Sequence, residues 1–405
     1  MLGPLTLAIS LLAPQEQTQP AVDASAPQPK ASLSQPAVAP PRTARLLTAL
    51  TPDELAACTA AANRGLEWLA AQQGEAGAWT SIVGHKQGDH YVELDVGLPV
   101  EGQRATQRGH PGVTALCAMA FLAGGHMPDR GNYGKVVQRA IDYLVAQTRE
   151  TGMVTDSGTR MYSHAFATLF LAEVYGMAGG QPVRDALQRS VNLIIDTQNR
   201  YGGWRYNAFD QGVDLSVTVC QLQALRAARN IGIKVPTETI RRALDYVIKS
   251  HVGDSGYGSY RSRRGRSRTG GQFYYKIYGR GRYSKPNEYA INAAALTALS
   301  SAGNYDPELY GPTLEFLQDQ YPQIATYYGR HYYFWYGNYY ACQAFFQTGG
   351  PGFRNYYTRL TNDLRSGQQA DGRWRNDVGP GDEFSTAVAC LLLQLPRQYL
   401  PIFQR

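Results

Sequence analysis

The 405-residue chain is 43% hydrophobic and 18% charged, a globular composition with ample length for one large continuous core. No apolar run reaches the roughly 18 residues of a membrane-spanning helix, so the body reads as soluble. The net charge of +7 is local: nine basic residues between Arg261 and Lys285 meet no acid there, and the rest of the chain holds 30 basic against 32 acidic residues, which excludes a protein basic all round.

Residues 1–13 contain a short apolar stretch, Leu5 to Leu12, of signal-peptide length but with no Lys or Arg before it; the chain is expected to be exported to the periplasm or cell envelope. Residues 14–50 turn to Pro, Ala, Gln and Ser, with too few large apolar side chains to offset the entropy of ordering, and read as a disordered linker. The folded body is expected over 51–405. Its five cysteines (Cys58, Cys117, Cys220, Cys342, Cys390) are scattered, odd in number and set in apolar runs, which suits buried small side chains rather than disulfides or a Cys-rich zinc site.

From residue 51 the chain repeats itself, and the repeat decides the fold. Arg64-Gly65-x2-Trp68-Leu69-x3-Gln73-x3-Gly77-x-Trp79 is echoed by Ile194 to Gln198-x3-Gly202-x-Trp204 and by Leu364 to Gln368-x3-Gly372-x-Trp374. Weaker copies at Tyr143 to Gly152, Tyr246 to Tyr257 and Phe316 to Tyr327 bring the units to six. Each unit opens with an amphipathic helix, as in Val183 to Gln198, where Val183, Leu187, Val191 and Ile194 recur at helical spacing. After a Gly/aromatic turn comes a more apolar helix: His110 to Leu122, His164 to Tyr175, Leu215 to Ala228, Tyr289 to Ala302, Phe334 to Phe346 and Phe384 to Leu395. More apolar helices lie deeper, and six such hairpins bury both faces best by closing into a ring. The predicted fold is all-α, an (α/α)6 toroid, with insertions near 81–108 and 258–286.

The Gln-x3-Gly-x-Trp turns resemble the QW repeats of squalene–hopene and oxidosqualene cyclases, and the pairing of inner with outer helices resembles the toroid of protein prenyltransferase β subunits. The resemblance runs from about Thr51 to Arg405. Met161-Tyr162-Ser163-His164-Ala165, Gly202-Gly203-Trp204-Arg205-Tyr206 and the closing Leu400-Pro401-Ile402-Phe403 are similar to the exported cyclase-like toroid proteins of planctomycete bacteria. Physically, a Gln at an outer helix end can bond orphan carbonyls and the start of the next helix, while the Trp ties neighbouring hairpins together.

The chemistry that this resemblance implies is only partly present. Class II cyclases protonate an alkene with the middle Asp of an Asp-x-Asp-Asp-Thr motif; the matching segment here is Asp214-Leu215-Ser216-Val217-Thr218, with Ser216 at the proton donor. A serine hydroxyl does not protonate a hydrocarbon. Prenyltransferases hold zinc with Asp, Cys and His; here Ser385-Thr386 stands where a His is wanted, leaving a set drawn from His110, His164, Asp214 and Cys220. His85, Asp89 and His90 form a weaker group in the first insertion. No metal and no cofactor are expected.

The inner-helix starts, which face the cavity of such a ring, carry His110, His164, Asp214 with Ser216, Asn287 with Glu288, the Arg330-His331-Tyr332-Tyr333 cluster, and Asp382 with Glu383. Asp214, Asn287 and Asp382 suit N-caps. Histidine is a poor cap, which gives His110, His164 and His331 more functional weight. Asp214, His164 and Glu383 are the candidate catalytic residues; His110, Ser216, Glu288, His331, Tyr333 and Trp335 are the candidate ligand-binding residues. The run from Tyr327 to Tyr340 holds too many aromatics for one core face, so some line the cavity, where they suit an isoprenoid tail, a sugar ring or a cation. The expected ligand is isoprenoid-like, lipid or otherwise apolar. An active terpene cyclase with a displaced acid is one alternative, and an envelope polysaccharide lyase or glycosidase with Glu288 and Glu383 as a carboxylate pair is the other. The Arg/Tyr-rich segment from Arg261 to Lys285 reads as a solvated loop able to meet an anionic surface or acidic polysaccharide; export disfavours nucleic acid.

Overall fold

The chain divides into two units, residues 1–40 and 41–405. The computed structural model describes residues 50–82, 84–87, 90–93, 107–252, 259–261, 267–269, 271–278, 282–283 and 288–404, all in the second unit. The leader, nearly all of the linker, Asp89, Asn287, the side chains of His85 and His90, and most of the basic segment lie outside the described residues.

Twelve α-helices make up the described body: α1 (Pro52–Gln72), α2 (Pro111–Ala123), α3 (Gly134–Ala146), α4 (Met161–Ala178), α5 (Gln181–Asp196), α6 (Leu215–Asn230), α7 (Thr237–Lys249), α8 (Tyr289–Ser301), α9 (Pro307–Tyr328), α10 (Tyr332–Thr348), α11 (Gly350–Gly367) and α12 (Asp382–Gln394). The even-numbered helices pack side by side as an inner ring in which α12 returns to α2, and the odd-numbered helices cover them from outside. Composition sorts the two layers: every residue of α2 is buried, whereas α7 buries one stripe that includes Ile240, Ala243 and Val247. Small side chains let the inner helices approach closely. A Cβ on Gly112 would stand 2.9 Å from Ser163 Cα, and one on Gly337 would meet the Tyr289 ring at 2.8 Å.

The three Gln-x3-Gly-x-Trp turns share one set of hydrogen bonds. Gln73 Nε2 donates to Gly77 O and to Val136 O on the next outer helix, both at 2.9 Å. Gln198 bonds Gly202 O and Thr239 O in the same way, and Gln368 bonds Gly372 O and Ala61 O. The last of these staples joins α11 to α1 and closes the ring. The indole N–H groups of Trp79, Trp204 and Trp374 donate to Leu69 O, Ile194 O and Leu364 O at 2.7–2.8 Å, satisfying carbonyls that the outer helices leave open at their ends.

Within the insertions the described residues form short antiparallel pairs, which the helical repeat did not foretell: β1 (Thr80–Ile82) with β4 (Gln107–Gly109), β2 (Gly84–Gln87) with β3 (His90–Glu93), β5 (Ser259–Arg261) with β6 (Ser267–Thr269), and β7 (Ile277–Tyr278) with β8 (Arg282–Tyr283). The second insertion is not simply a solvated loop. Gln272, Phe273 and Tyr274 are buried, and the Phe273 N–H donates to Asn292 Oδ1 of α8 at 2.6 Å. At the far end of the ring the closing turn Pro401–Phe403 packs on α4. Among the described residues no helix is long and apolar enough to cross a membrane.

Candidate functional site

Because every hairpin runs the same way, the first turns of all six inner helices meet at one end of the barrel, where they enclose a cavity of about 430 Å³. Its walls follow helical periodicity. Gly112, Val113 and Leu116 on α2, Tyr162, Ser163 and Phe166 on α4, and Tyr332, Tyr333 and Tyr336 on α10 repeat one spacing, which puts each trio on one helix face. Ala290 and Ile291 of α8 and Phe384 of α12 complete the apolar lining; Tyr206 and Tyr275 enter from the turns, and His110, Arg160, Ser216 and Glu288 supply polar groups.

The hydroxyls form a network along one wall. Tyr206 OH and Tyr275 OH lie 2.5 Å apart, Ser216 Oγ donates to Tyr275 OH at 3.2 Å, and Tyr336 OH donates to Ser216 O at 3.4 Å. Burial pushes the Tyr162, Tyr275 and Tyr336 phenols above their ordinary value, which keeps them neutral hydrogen-bonding groups. One turn deeper the barrel is filled: the Phe166 and Tyr339 rings meet at 5.8 Å, Tyr336 and Tyr340 at 4.9 Å, and Cys220 Sγ lies 3.1 Å from Tyr340 OH. Burial drives the Cys220 thiol up to about 12.

Of the residues proposed from the sequence, His110, Ser216, Glu288 and Tyr333 line the cavity together. The others are placed elsewhere. His164 is fully buried between α4 and α5, accepting the Val154 N–H on Nδ1 (3.1 Å) and meeting Ser190 O through Nε2 (3.2 Å); burial lowers its pKa to about 4. It is a neutral structural histidine rather than a catalytic base. Asp214, also fully buried, is clamped by Lys276 Nζ at 2.7 Å and Arg205 Nε at 3.2 Å, so it serves as their counter-ion and not as a displaced proton donor. Glu383 stands in the first turn of α12 outside the lining, and burial raises its pKa. His331 stacks on Tyr333 at 4.8 Å, and Trp335 is packed in the core against Phe334.

For Asp214 and Asp382 the capping expectation is reversed. Asp214 makes no side-chain cap bond because both cations hold its carboxylate, and Asp382 Oδ1 accepts from Asn376 N–H instead. His110 and His331 are the caps: an unprotonated Nδ1 accepts from Val113 N–H (3.2 Å) and Tyr333 N–H (3.1 Å) as an Asp oxygen would. The zinc set from His110, His164, Asp214 and Cys220 is not assembled, and among the described residues no three His, Cys, Asp or Glu side chains are grouped to hold a metal. Glu288 is the single carboxylate in the described lining, so the Glu288/Glu383 pair is not brought together there.

Sequence reasoning passed over Arg160, Tyr206 and Tyr275 as site residues. Arg160 directly precedes the Met161 segment and Tyr206 closes the Gly202–Tyr206 segment, so both stood within reach of the motifs. Tyr275 carries no such signal, since it reaches the cavity only because its segment docks on α6 through the Leu215 N–H to Tyr275 O bond, at 3.1 Å.

No family model and no curated protein matches the chain. Solved structures do match it. A variant of the type II terpene cyclase MstE from Scytonema, in complex with geranylgeranyl dihydroxybenzoate, is 14% identical with a TM-score of 0.55, over 87% of this chain and 100% of that one. An inactive variant of the α-1,6-mannanase GH76A of Salegentibacter sp. HEL1_6, in complex with α-1,6-mannotetrose, is 9% identical with a TM-score of 0.59, over 83% and 98%. An α-amylase from Clostridium perfringens is 7% identical with a TM-score of 0.56, over 83% and 97%. The chain therefore has the α/α toroid fold that type II terpene cyclases and GH76 mannanases share.

Proposed function

We propose that the toroid binds an isoprenoid-like or lipid molecule, with an apolar body and one polar end, in the cavity at its inner-helix starts, and that it lacks the acid with which a cyclase begins cationic ring closure. The observation that carries this reading is the described lining, in which eight aromatic rings and the aliphatic side chains of α2 and α8 face a single carboxylate. Apolar contact of this kind stabilises a ligand by about 25 cal/mol per Å² buried, and the volume falls within the roughly 300–1,000 Å³ of small-molecule sites. The Tyr206–Tyr275–Ser216 hydroxyls and Arg160 would hold the polar end. The cyclase neighbour's ligand, geranylgeranyl dihydroxybenzoate, has the same division into tail and polar head.

The mannanase neighbours hold mannotriose and mannotetrose, but glycoside hydrolysis uses two carboxyl groups flanking the bond, and the described lining offers Glu288 alone. Native mass spectrometry of the purified chain with geranylgeraniol and with α-1,6-mannotriose separates these readings. A one-to-one complex with geranylgeraniol and none with mannotriose is expected; the reverse result would overturn the proposal.

A further inference from the structure

We infer that the cavity takes its ligand by an anionic head, a single carboxylate, held where α2 and α4 begin by the Arg160 guanidinium, the His110 Nε2–H and the backbone N–H groups of Tyr162 and Ser163. This names the ligand class and rests on the reading of the cavity as a binding site. The two helices press together at their first turns, where a Cβ on Gly112 would stand 2.9 Å from Ser163 Cα. His110 and Arg160 are the residues directly before α2 and α4, so both side chains line the same corner of the cavity.

Each of these groups has a hydrogen left to give. Arg160 is half-buried, and no acid pairs with it among the described residues; its bond runs from Nη1 to Asn207 Oδ1 at 3.3 Å. By contrast, Arg205 and Lys276 share Asp214, and Arg330 holds Asp377. A guanidinium drawn partly out of water favours a counter-ion, and a carboxylate matches its fork of N–H groups. His110 accepts the Val113 N–H on Nδ1, so the neutral ring carries its proton on Nε2, which has no acceptor among the described residues. Burial lowers its pKa to about 4, and it therefore donates at neutral pH without adding charge. Asp156, whose charge acts on His110, is itself held by Tyr143 OH at 2.8 Å and Ser157 Oγ at 3.0 Å and stands outside the lining. Helix α4 has no side-chain cap. Tyr206 O takes the Met161 N–H and Arg160 O takes the His164 N–H, which leaves the Tyr162 and Ser163 N–H groups without an acceptor among the described residues. Such a helix start also favours negative charge through its dipole.

The charge of this corner decides the head. Arg160 is its one cation, and His110, Tyr162 and Ser163 add neutral donors. A carboxylate balances that cation and its two oxygens accept from the donors, whereas a diphosphate brings more negative charge than one guanidinium offsets. An alcohol leaves most of the donors unmet and is better served by the Ser216, Tyr206 and Tyr275 hydroxyls, which accept as well as donate. Glu288, the carboxylate of the described lining, begins α8, which stands across the inner ring from α2 and so leaves the corner to the ligand's charge.

The test is isothermal titration calorimetry of the full chain with geranylgeranoic acid, geranylgeraniol and geranylgeranyl diphosphate, which share one tail, at about pH 7.5, where a carboxylic acid is ionised. The acid is expected to bind at least about tenfold more tightly than either of the others. Arg160→Gln and His110→Asn are each expected to lower the ratio of acid to alcohol affinity by at least about fivefold; the asparagine keeps an acceptor for the Val113 N–H, so α2 stays capped. Circular dichroism confirms that both variants fold. Alcohol bound as tightly as acid, diphosphate preferred to acid, or a ratio unmoved in both folded variants would each sink the inference and leave the cavity a binding site. If the folded wild type binds none of the three probes, the reading of the cavity falls with it, so the two failures are told apart.

Discussion

Replacing Trp374 with alanine is expected to lower stability by about 3–5 kcal/mol, among the largest single losses available in the ring. Trp374 is fully buried, its indole N–H caps α11 at Leu364 O (2.7 Å), and its backbone N–H donates to Thr386 Oγ1 of α12 at 3.0 Å. It also bridges the first and last units. A Cβ on Gly65 of α1 would stand 2.5 Å from Cys390 Sγ and 2.8 Å from Trp374 Cζ3, so the glycine leaves room for both side chains of the last unit. Gly372→Val attacks the same junction from the backbone, since Gly372 holds φ at 96° and its Cβ would stand 2.5 Å from Arg64 O, a carbonyl that cannot step aside. Urea unfolding followed by circular dichroism reads both variants. A loss below about 1 kcal/mol for each would mean that the seam between α11–α12 and α1 is not where the ring is held.

Replacing Glu173 with glutamine is expected to stabilise the protein at alkaline pH. Glu173 is buried on α4, with the Ile402 N–H of the closing turn donating to Oε2 at 3.1 Å, and burial raises its pKa from 4.5 to about 8. The folded state thus keeps a proton that the unfolded chain releases, so stability is full below 4.5 and is lost as pH rises through 8. His164 behaves in the opposite sense. Its pKa is depressed from 6.5 to about 4, so its contribution is full above 6.5 and is lost as pH falls toward 4. At about pH 9, Glu173→Gln should exceed the wild type by on the order of 2–4 kcal/mol, and at about pH 5 the two should be close. Thermal unfolding across that range measures the difference. Equal stability at alkaline pH would mean that the buried carboxyl is not the group whose ionisation loosens the closing turn.

The ring was legible because its determinants are local and repeated. Gln73, Gln198 and Gln368 stand at one spacing from a glycine and a tryptophan, and the bonds those spacings allow are the ones that join neighbouring outer helices. The site was legible only by position. Placing the polar helix starts around a cavity located His110, Ser216, Glu288 and Tyr333, but a one-dimensional pattern does not tell which way a side chain turns from a helix start. His164 lies two residues from Tyr162, yet it points into the α4–α5 contact while Tyr162 lines the cavity. Asp214 read as a cap or an acid because its cations were hidden: Lys276 lies far along the chain, in a segment whose basic composition suggested a solvated loop. The same segment delivers Tyr275, so a deletion intended to remove the basic residues would have to spare 271–278 to leave the cavity wall intact.

The central claim is that the helix-start cavity is an apolar binding site, and a crystal structure of the protein with geranylgeraniol tests it most directly. The account predicts the tail lying among Tyr162, Phe166, Tyr336 and Phe384, with the hydroxyl toward the Ser216–Tyr275 network. Geranylgeraniol bound elsewhere on the chain with the cavity empty, or mannotriose seated in the cavity in its place, would contradict it.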